Sequence, residues 1–392
     1  MGVLFWVFPH PFKPGQRWER GKKREKALAG PAPTLGSGES GPEPASRRQT
    51  GSGGPELAGA PPGQSDPHAG AKSLAFSEVT LEGESAKRLR HWEQAAMKPP
   101  RFQYCAPRLL DDALDLLDRT AEEAKVLAGG QSLMPLLNMR LARPAYLLDI
   151  NHISELHYIE EETDYLAIGA VTRQRQVERS ALVQQKHPLL VEVIRHIGHF
   201  QIRNRGTVAG SIAHADPAAE LPALLVCLDG MVVAQSARGE RLLPAADFFQ
   251  GYLTTELRPD EMVTEVRFPW LPPAAGWAFA EFARRSGDYA LAGAIVVLTA
   301  GPDGRCSSAR LSYLGVAPVP QRAVAVERLL VGSSLDAATL EEAAAAARAL
   351  VSEEMQDIHA TAEYRRELVA ELTRQLLPLA WSRCSQARPG PV

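Results

Sequence analysis

Two short runs of small residues constrain this chain more than any other feature: Ala128-Gly129-Gly130-Gln131-Ser132 and Thr207-Val208-Ala209-Gly210-Ser211. Each reads as a turn between an apolar strand and the start of a helix. Gly129 and Gly130 let backbone approach a ligand closely and take positive φ, and Ser132 is placed to cap the helix that follows. Several N–H groups would then face one bound anion. The second run carries hydroxyls at both ends and a single glycine. Either run alone is ordinary turn chemistry. Two of them converging would hold both phosphates of a pyrophosphate without a lysine or a metal.

The elements around these runs alternate between strand and helix. A strand over residues 102–105 precedes a helix with Leu110, Ala113, Leu116 and Leu117 on one face and Asp111 and Asp112 in its first turn. Further strands are predicted at 125–128, in AYLLDI and at 165–170, with a helical turn from Ser132. One long helix over 189–200 leads to the second run. Asp216 then reads as the cap of a helix that begins at Pro217 and tolerates Pro222 in its first turns. GMVVAQSARGERLLP and MVTEVRFPW are strands again. From about Gly276 the pattern changes: WAFAEFARR, a hairpin with arms AIVVLTA and ARLSYLGVA around GPDG, then helices at 320–331, 337–351 and 362–377. In the last helix Leu368, Val369, Leu372 and Leu376 form an apolar stripe at helical spacing, which reads as core.

Composition bounds the class. The chain has 392 residues, 45% hydrophobic and 23% charged, with a formal net charge of -3, as in a soluble globular protein of two or three domains. That balance gives no reason to expect nucleic acid or membrane insertion. Cys105, Cys227, Cys306 and Cys384 lie far apart, without a C-x-x-C pair, and read as reduced thiols of a cytoplasmic protein. The opening MGVLFWVFPHPF has a short apolar run broken by Pro9, which fits neither a signal peptide nor a membrane helix. Residues 1–96 hold 25 Gly plus Pro against 36 in the remaining 296. They are therefore expected to be a disordered, dispensable extension or a misassigned start, with order beginning at Met97.

Other motifs carry less. GSGESG (residues 36–41) matches G-x-G-x-x-G but lacks the strand and helix that would give it meaning, and Arg47-Arg48 lacks a following hydrophobic segment. His196 and His199 have no third ligand at metal spacing and read as solvated or packed histidines. There is no G-x-S-x-G elbow, Walker A sequence or H-E-x-x-H.

From Met97 to about Leu377 the chain resembles the FAD-binding medium subunit of molybdenum hydroxylases, as in carbon monoxide dehydrogenase and xanthine dehydrogenase. The resemblance is carried by LAGGQSLMPLLNMR, IRNRGTVAGSIAHADPAAELP, TEVRFP, RRSGDYALAG and GVAPVPQRAVAVERLLVG, in the family's order. It implies an α+β fold: a two-subdomain FAD-binding domain of the p-cresol methylhydroxylase (PCMH) type over 97–273, a C-terminal α+β domain with an antiparallel sheet and helices over 274–384, and a tail over 385–392. It places Val126, Leu127, Ala128, Gly129, Gly130, Gln131, Ser132 and Leu133 in the first pyrophosphate loop and Thr207, Val208, Ala209, Gly210 and Ser211 in the second. Ala209 stands where the family usually has glycine. Glu220 falls near the ribose and adenine end, Ile197 lines the flavin pocket, and Thr264 makes a backbone contact to the isoalloxazine. Tyr289 lies by the flavin ring, where it gates an electron acceptor. Some relatives carry lysine near Glu281, and here Arg284 or Arg285 is the alternative source of positive charge. The cysteine-rich insertion of some relatives is missing.

The function implied is electron transfer. FAD on this chain collects electrons from 2Fe-2S clusters on a small subunit and reduces NAD+, a quinone or another acceptor. A large molybdopterin subunit oxidises the substrate, and the complex is a dimer of heterotrimers. Two alternatives stay open: a stand-alone flavin oxidase of the same fold, and a docking subunit that has lost FAD, the latter motivated by Ala209.

Overall fold

The structure, a computed structural model, describes residues 98–386. The expectations for residues 1–96, with GSGESG and Arg47-Arg48, lie outside the described residues. The first part of the fold is β1 (Gln103–Cys105), α1 (Leu110–Thr120), β2 (Ala124–Leu127), α2 (Leu133–Asn138) and β3 (Tyr146–Asp149). Its three strands form a parallel sheet in the order β1-β3-β2, with Ala124 and Gln103 both opposite Tyr146. Asp111 and Asp112 favour the positive end of α1, and Ala113, Leu114 and Leu117 are its buried face. The buried stripe thus includes Leu114, with Leu110 and Leu116 at its margins.

Next come β4 (Ile159–Glu161), β5 (Tyr165–Gly169), α3 (Gln174–Arg179), α4 (Ala181–Lys186), α5 (Pro188–His196), α6 (Phe200–Arg205), α7 (Val208–His214) and α8 (Glu220–Cys227). They are followed by β6 (Met231–Ser236), β7 (Gly239–Pro244), α9 (Ala245–Phe248), β8 (Phe249–Gly251), β9 (Thr254–Thr255) and β10 (Met262–Pro269). A five-stranded antiparallel sheet runs β4-β5-β10-β6-β7. Three sequence expectations are corrected here. The long helix over 189–200 is two helices: Gly198 breaks it at φ +46, and the Arg203 guanidinium donates to the freed carbonyls of Ile197 and Gly198 at 3.0 and 3.1 Å. The run 207–211 therefore follows a helix rather than a strand. Asp216 caps only a turn, accepting from the Ala218 N–H at 2.9 Å, and the helix itself starts at Glu220.

The C-terminal part holds β11 (Gly276–Ala283), β12 (Ala290–Ala300), β13 (Cys306–Leu314), β14 (Gln321–Arg322), α10 (Val324–Leu330), α11 (Ala337–Arg348) and α12 (Ala362–Gln386). Its strands form an antiparallel sheet in chain order. The helix expected over 320–331 starts later because Gln321 and Arg322 pair with β13 as a strand. Residues 290–298 of β12 are buried on both faces, and the faces differ in what they meet. Ile295 and Val297 join the core of the preceding part, while Ala294, Val296 and Leu298 join a second core with α10, α11 and α12. That second core includes Val369, Leu372 and Leu376 of the apolar stripe. The last helix continues through Pro378 to Gln386, because Ala380 and Cys384 bury against the start of β11 and that burial outweighs one lost backbone bond. No described helix is long and apolar enough to cross a membrane.

The approach of β11 to α12 leaves no room for a side chain at Gly276. A methyl there would lie 1.9 Å from the Ala380 carbonyl oxygen and 2.6 Å from the Cys384 nitrogen. Gly276→Ala should cost roughly 1–3 kcal/mol through forced separation of strand and helix, read as a lower urea midpoint with an unchanged slope.

Candidate functional site

The two small-residue runs meet. Gly129 lies against the backbone just before the second run, and a Cβ placed on it would stand 2.6 Å from the Arg205 carbonyl oxygen and 2.7 Å from Gly206 Cα. A Cβ on Gly210 would lie 3.9 Å from the Ala128 methyl. Arg173, at the N-cap of α3, clasps the pair. One guanidinium nitrogen donates to the Arg205 carbonyl at 2.6 Å, and another donates to Asn151 Oδ1 at 2.5 Å. Asn151 in turn donates to the Ala128 carbonyl at 2.8 Å. Backbone completes the clasp: the Gln174 N–H donates to the Gly206 carbonyl, the Val208 N–H to the Thr172 carbonyl, and Arg173 bridges Thr207.

The charges at this junction are held in place. Burial works against the Asp149 carboxylate, but hydrogen bonds from Tyr104 and Asn151 outweigh it and keep Asp149 below the usual carboxylate range. Burial, then the charge of Arg205, pushes Arg173 below the usual arginine range, against the pull of Asp149. Two guanidinium groups thus stand beside the converged turns. Arg173, Asn151 and Gln174 were not singled out in the sequence. The available signal was a polar Thr172-Arg173-Gln174 group directly after the apolar IGAV, where a core strand would be expected to continue.

The donors of the cradle can be counted by elimination. Thr207 caps α7, its Oγ1 accepting the Gly210 N–H at 3.0 Å, and its carbonyl accepts the Ser211 N–H. Among the hydrogen bonds of the described residues none engages the N–H of Gly130, Gln131, Ser132 or Ala209. These backbone groups, at or just before the starts of α2 and α7, fit an anion held between the turns. Gly130 has φ +73, as its turn requires. Ser132 makes no side-chain cap, contrary to expectation, because it already has helical backbone angles. Ala209 lies inside the first turn of α7 with negative φ and is 2% exposed. Its methyl therefore meets no conformational penalty.

The remaining expected residues lie toward the C-terminal part. Ile197 ends α5 and packs half-buried on the first core. Thr264 is buried at a bulge in β10, its carbonyl accepting the Ala170 N–H at 2.9 Å. Tyr289 is exposed and borders a cleft of about 380 Å³ with Asp216, Tyr252 and Arg365. Arg284 lines the same cleft, held by Asp288 and His359 at its surface. Glu220 is half-buried at the start of α8, and burial, reinforced by Glu281, pushes its carboxyl up to about 8. Val126, Leu127 and Leu133 flank the first turn and are half-buried. His196 and His199 do not act together: the His196 ring meets Phe279 edge to face with Nδ1 by the Glu192 carbonyl, and the His199 ring lies against Gly287.

A parallel βαβ unit, an antiparallel sheet and two converging turns with unengaged N–H groups make an arrangement suited to an anionic ligand, followed here by a sheet-and-helix domain. Residues 100–271 match the family described as the FAD binding domain in molybdopterin dehydrogenase, and residues 277–379 match the CO dehydrogenase flavoprotein C-terminal domain. Over 295 residues the chain is 41% identical to the 6-hydroxypseudooxynicotine dehydrogenase complex subunit alpha of Paenarthrobacter nicotinovorans, covering 75% of this chain and 98% of that protein. It is 37% identical over 289 residues to the carbon monoxide dehydrogenase medium chain of Hydrogenophaga pseudoflava, covering 74% and 100%. Among solved structures, carbon monoxide dehydrogenase from Hydrogenophaga pseudoflava superposes with a TM-score of 0.71 at 38% identity, over 73% of this chain and 99% of that one. Quinoline 2-oxidoreductase from Pseudomonas putida 86 gives 0.70 at 35%, with the same coverage. The chain belongs to the FAD-binding medium subunits of the molybdenum hydroxylases, and FAD is the cofactor of that family's domain.

Glu220 makes stability depend on pH in a stated direction. The unfolded chain ionises this carboxyl near the ordinary value, whereas the folded chain keeps its proton up to about 8. The folded state therefore binds more protons between those values, and stability falls as pH rises through that window. Glu220→Gln should leave the unfolding temperature unchanged near about pH 4 and raise it by at least about 3 °C above about pH 8, measured by thermal melts across pH.

Proposed function

We propose that this chain is the electron-transferring FAD subunit of a three-subunit molybdenum hydroxylase, with residues 97–273 as the flavin domain and 274–384 as the domain that closes on it. Bound FAD supplies the redox chemistry, taking single electrons from 2Fe-2S clusters on a small subunit and giving two to NAD+, a quinone or another acceptor. The chain's own residues bind and orient. The N–H groups of Gly130, Gln131, Ser132 and Ala209 receive the pyrophosphate, and Arg173 with Arg205 offsets its charge. Residues Val126 to Leu133 and Thr207 to Ser211 form the two loops. Ile197, Glu220, Thr264 and Tyr289 surround the remainder of the cofactor. The large partner carries molybdopterin, the assembly is a dimer of heterotrimers, and the compartment is the cytoplasm.

The observation that carries this reading is the contact between the two turns, with uncommitted N–H groups from both. The test is to release cofactor from the purified chain by denaturation, identify it, and titrate the stripped protein with FAD. FAD should be present stoichiometrically. Gly130→Val should weaken FAD binding at least about tenfold, since a β-branched residue at φ +73 distorts the turn. Gly251→Ala, where a methyl meets open space, should bind as the parent chain does. A folded protein that takes up no FAD would defeat the proposal.

A further inference from the structure

Among the described residues three buried side-chain polar atoms lack a hydrogen-bond partner, and Oε2 of Glu281 is the carboxylate oxygen among them. Its placement follows from strand alternation. Along β11, Ala278 and Ala280 face the second core and α12, whereas Trp277 and Phe279 face the first core. Glu281, two residues beyond Phe279, shares that face and points toward the flavin-binding part. The neighbours on every side are few. His196, at the end of α5, packs edge-on to Phe279 at 4.8 Å, and any positive charge on it favours ionised Glu281. Glu220 of α8 feels the charge of Glu281, with Asp216 acting on Glu220 in turn. Across β12 the partner of Glu281 is Gly293, and no residue of Ala290–Ala300 titrates. β11 is an edge strand, so no further strand faces it.

An ionised carboxylate in such a place should be paired with a cation or several donors, and no such partner engages Oε2. This setting disfavours the ionised form through burial, while a positive charge on His196 would favour it. Of these neighbours, Glu220 is itself assigned above to the cofactor, and His196 directly precedes Ile197, also assigned to it. Resting on that assignment, we propose that Glu281 is a proton-holding residue of the flavin site, its buried carboxyl taking up a proton when negative charge arrives on the bound cofactor.

The step balances simply. Two electrons enter from the 2Fe-2S clusters of the small subunit, and one O–H bond forms on the Glu281 carboxylate as one O–H bond of a solvent hydronium breaks, leaving water. When an oxidising acceptor removes the electrons, that proton returns to solvent. Burial pushes Glu281 up to about 7, so both of its states are available near neutrality and a nearby charge shifts the balance between them. Glu281 is thus a positioning residue for charge, acting on the cofactor through the local field.

The experiment uses the full chain loaded with FAD. Spectroelectrochemical titration across about pH 6 to 9 counts the protons taken up per two electrons from the slope of potential against pH. The parent chain should take up more protons than Glu281→Gln over this range, by up to about one, and Glu281→Asp should restore the excess with a shifted midpoint. Infrared difference spectra on reduction should show growth of a carboxylic acid carbonyl band that Glu281→Gln lacks. Equal proton uptake in the parent and Glu281→Gln, or no such band in the parent, would overturn this inference while leaving FAD binding intact. A chain that binds no FAD would instead defeat the functional reading, and this inference with it.

Discussion

The site depends on backbone meeting backbone at Gly129. With the Arg205 carbonyl and Gly206 Cα within 3 Å of where a Cβ would stand, any side chain at this position would hold the two turns apart. Everything else at the cradle is arranged to keep that contact. Arg173 reaches one turn directly and the other through Asn151, so a single guanidinium fixes the separation of two segments far apart in sequence. The Arg173 donors serve carbonyl and amide oxygens, and the N–H groups of Gly130, Gln131, Ser132 and Ala209 remain for a ligand. A nucleotide pyrophosphate can then be held largely by backbone, which is insensitive to the side chains around it.

Much of this architecture is written locally in the sequence. The turns are recognisable because small residues follow a strand or precede a helix, and the β12–β13 hairpin because GPDG separates two apolar arms. Where the reading failed on helix lengths, a tertiary contact had overridden a local pattern. Residues 189–200 have helical periodicity throughout, yet Arg203 offers its donors to two carbonyls at Gly198 and stabilises a break there. Ser132 has the right chemistry for a cap but is already helical. The end of α12 runs past Pro378 because β11 offers it a surface to bury.

The site was legible in part for the same reason. Glycines and hydroxyls near a ligand announce themselves by residue type. Arg173 and Asn151 do not, because their role exists only once strands β2 and β3 and the α6–α7 junction are assembled. Glu281 is harder still. In sequence it is a polar residue in an alternating strand, which ordinarily means a solvated face, and only the packing of β11 against α5 makes it a buried acid.

The double burial of β12 reaches beyond the site. One strand supplies Ile295 and Val297 to the core beneath the cradle and Val296 and Leu298 to the core beneath the C-terminal helices. The two family domains meet in sequence near residue 275, but no seam of exposed surface separates them along this strand. They share hydrophobic content in the way that a wall belongs to both rooms. Melting of either side would uncover the other, so residues 98–386 are built to lose their fold in one cooperative event rather than shed a domain.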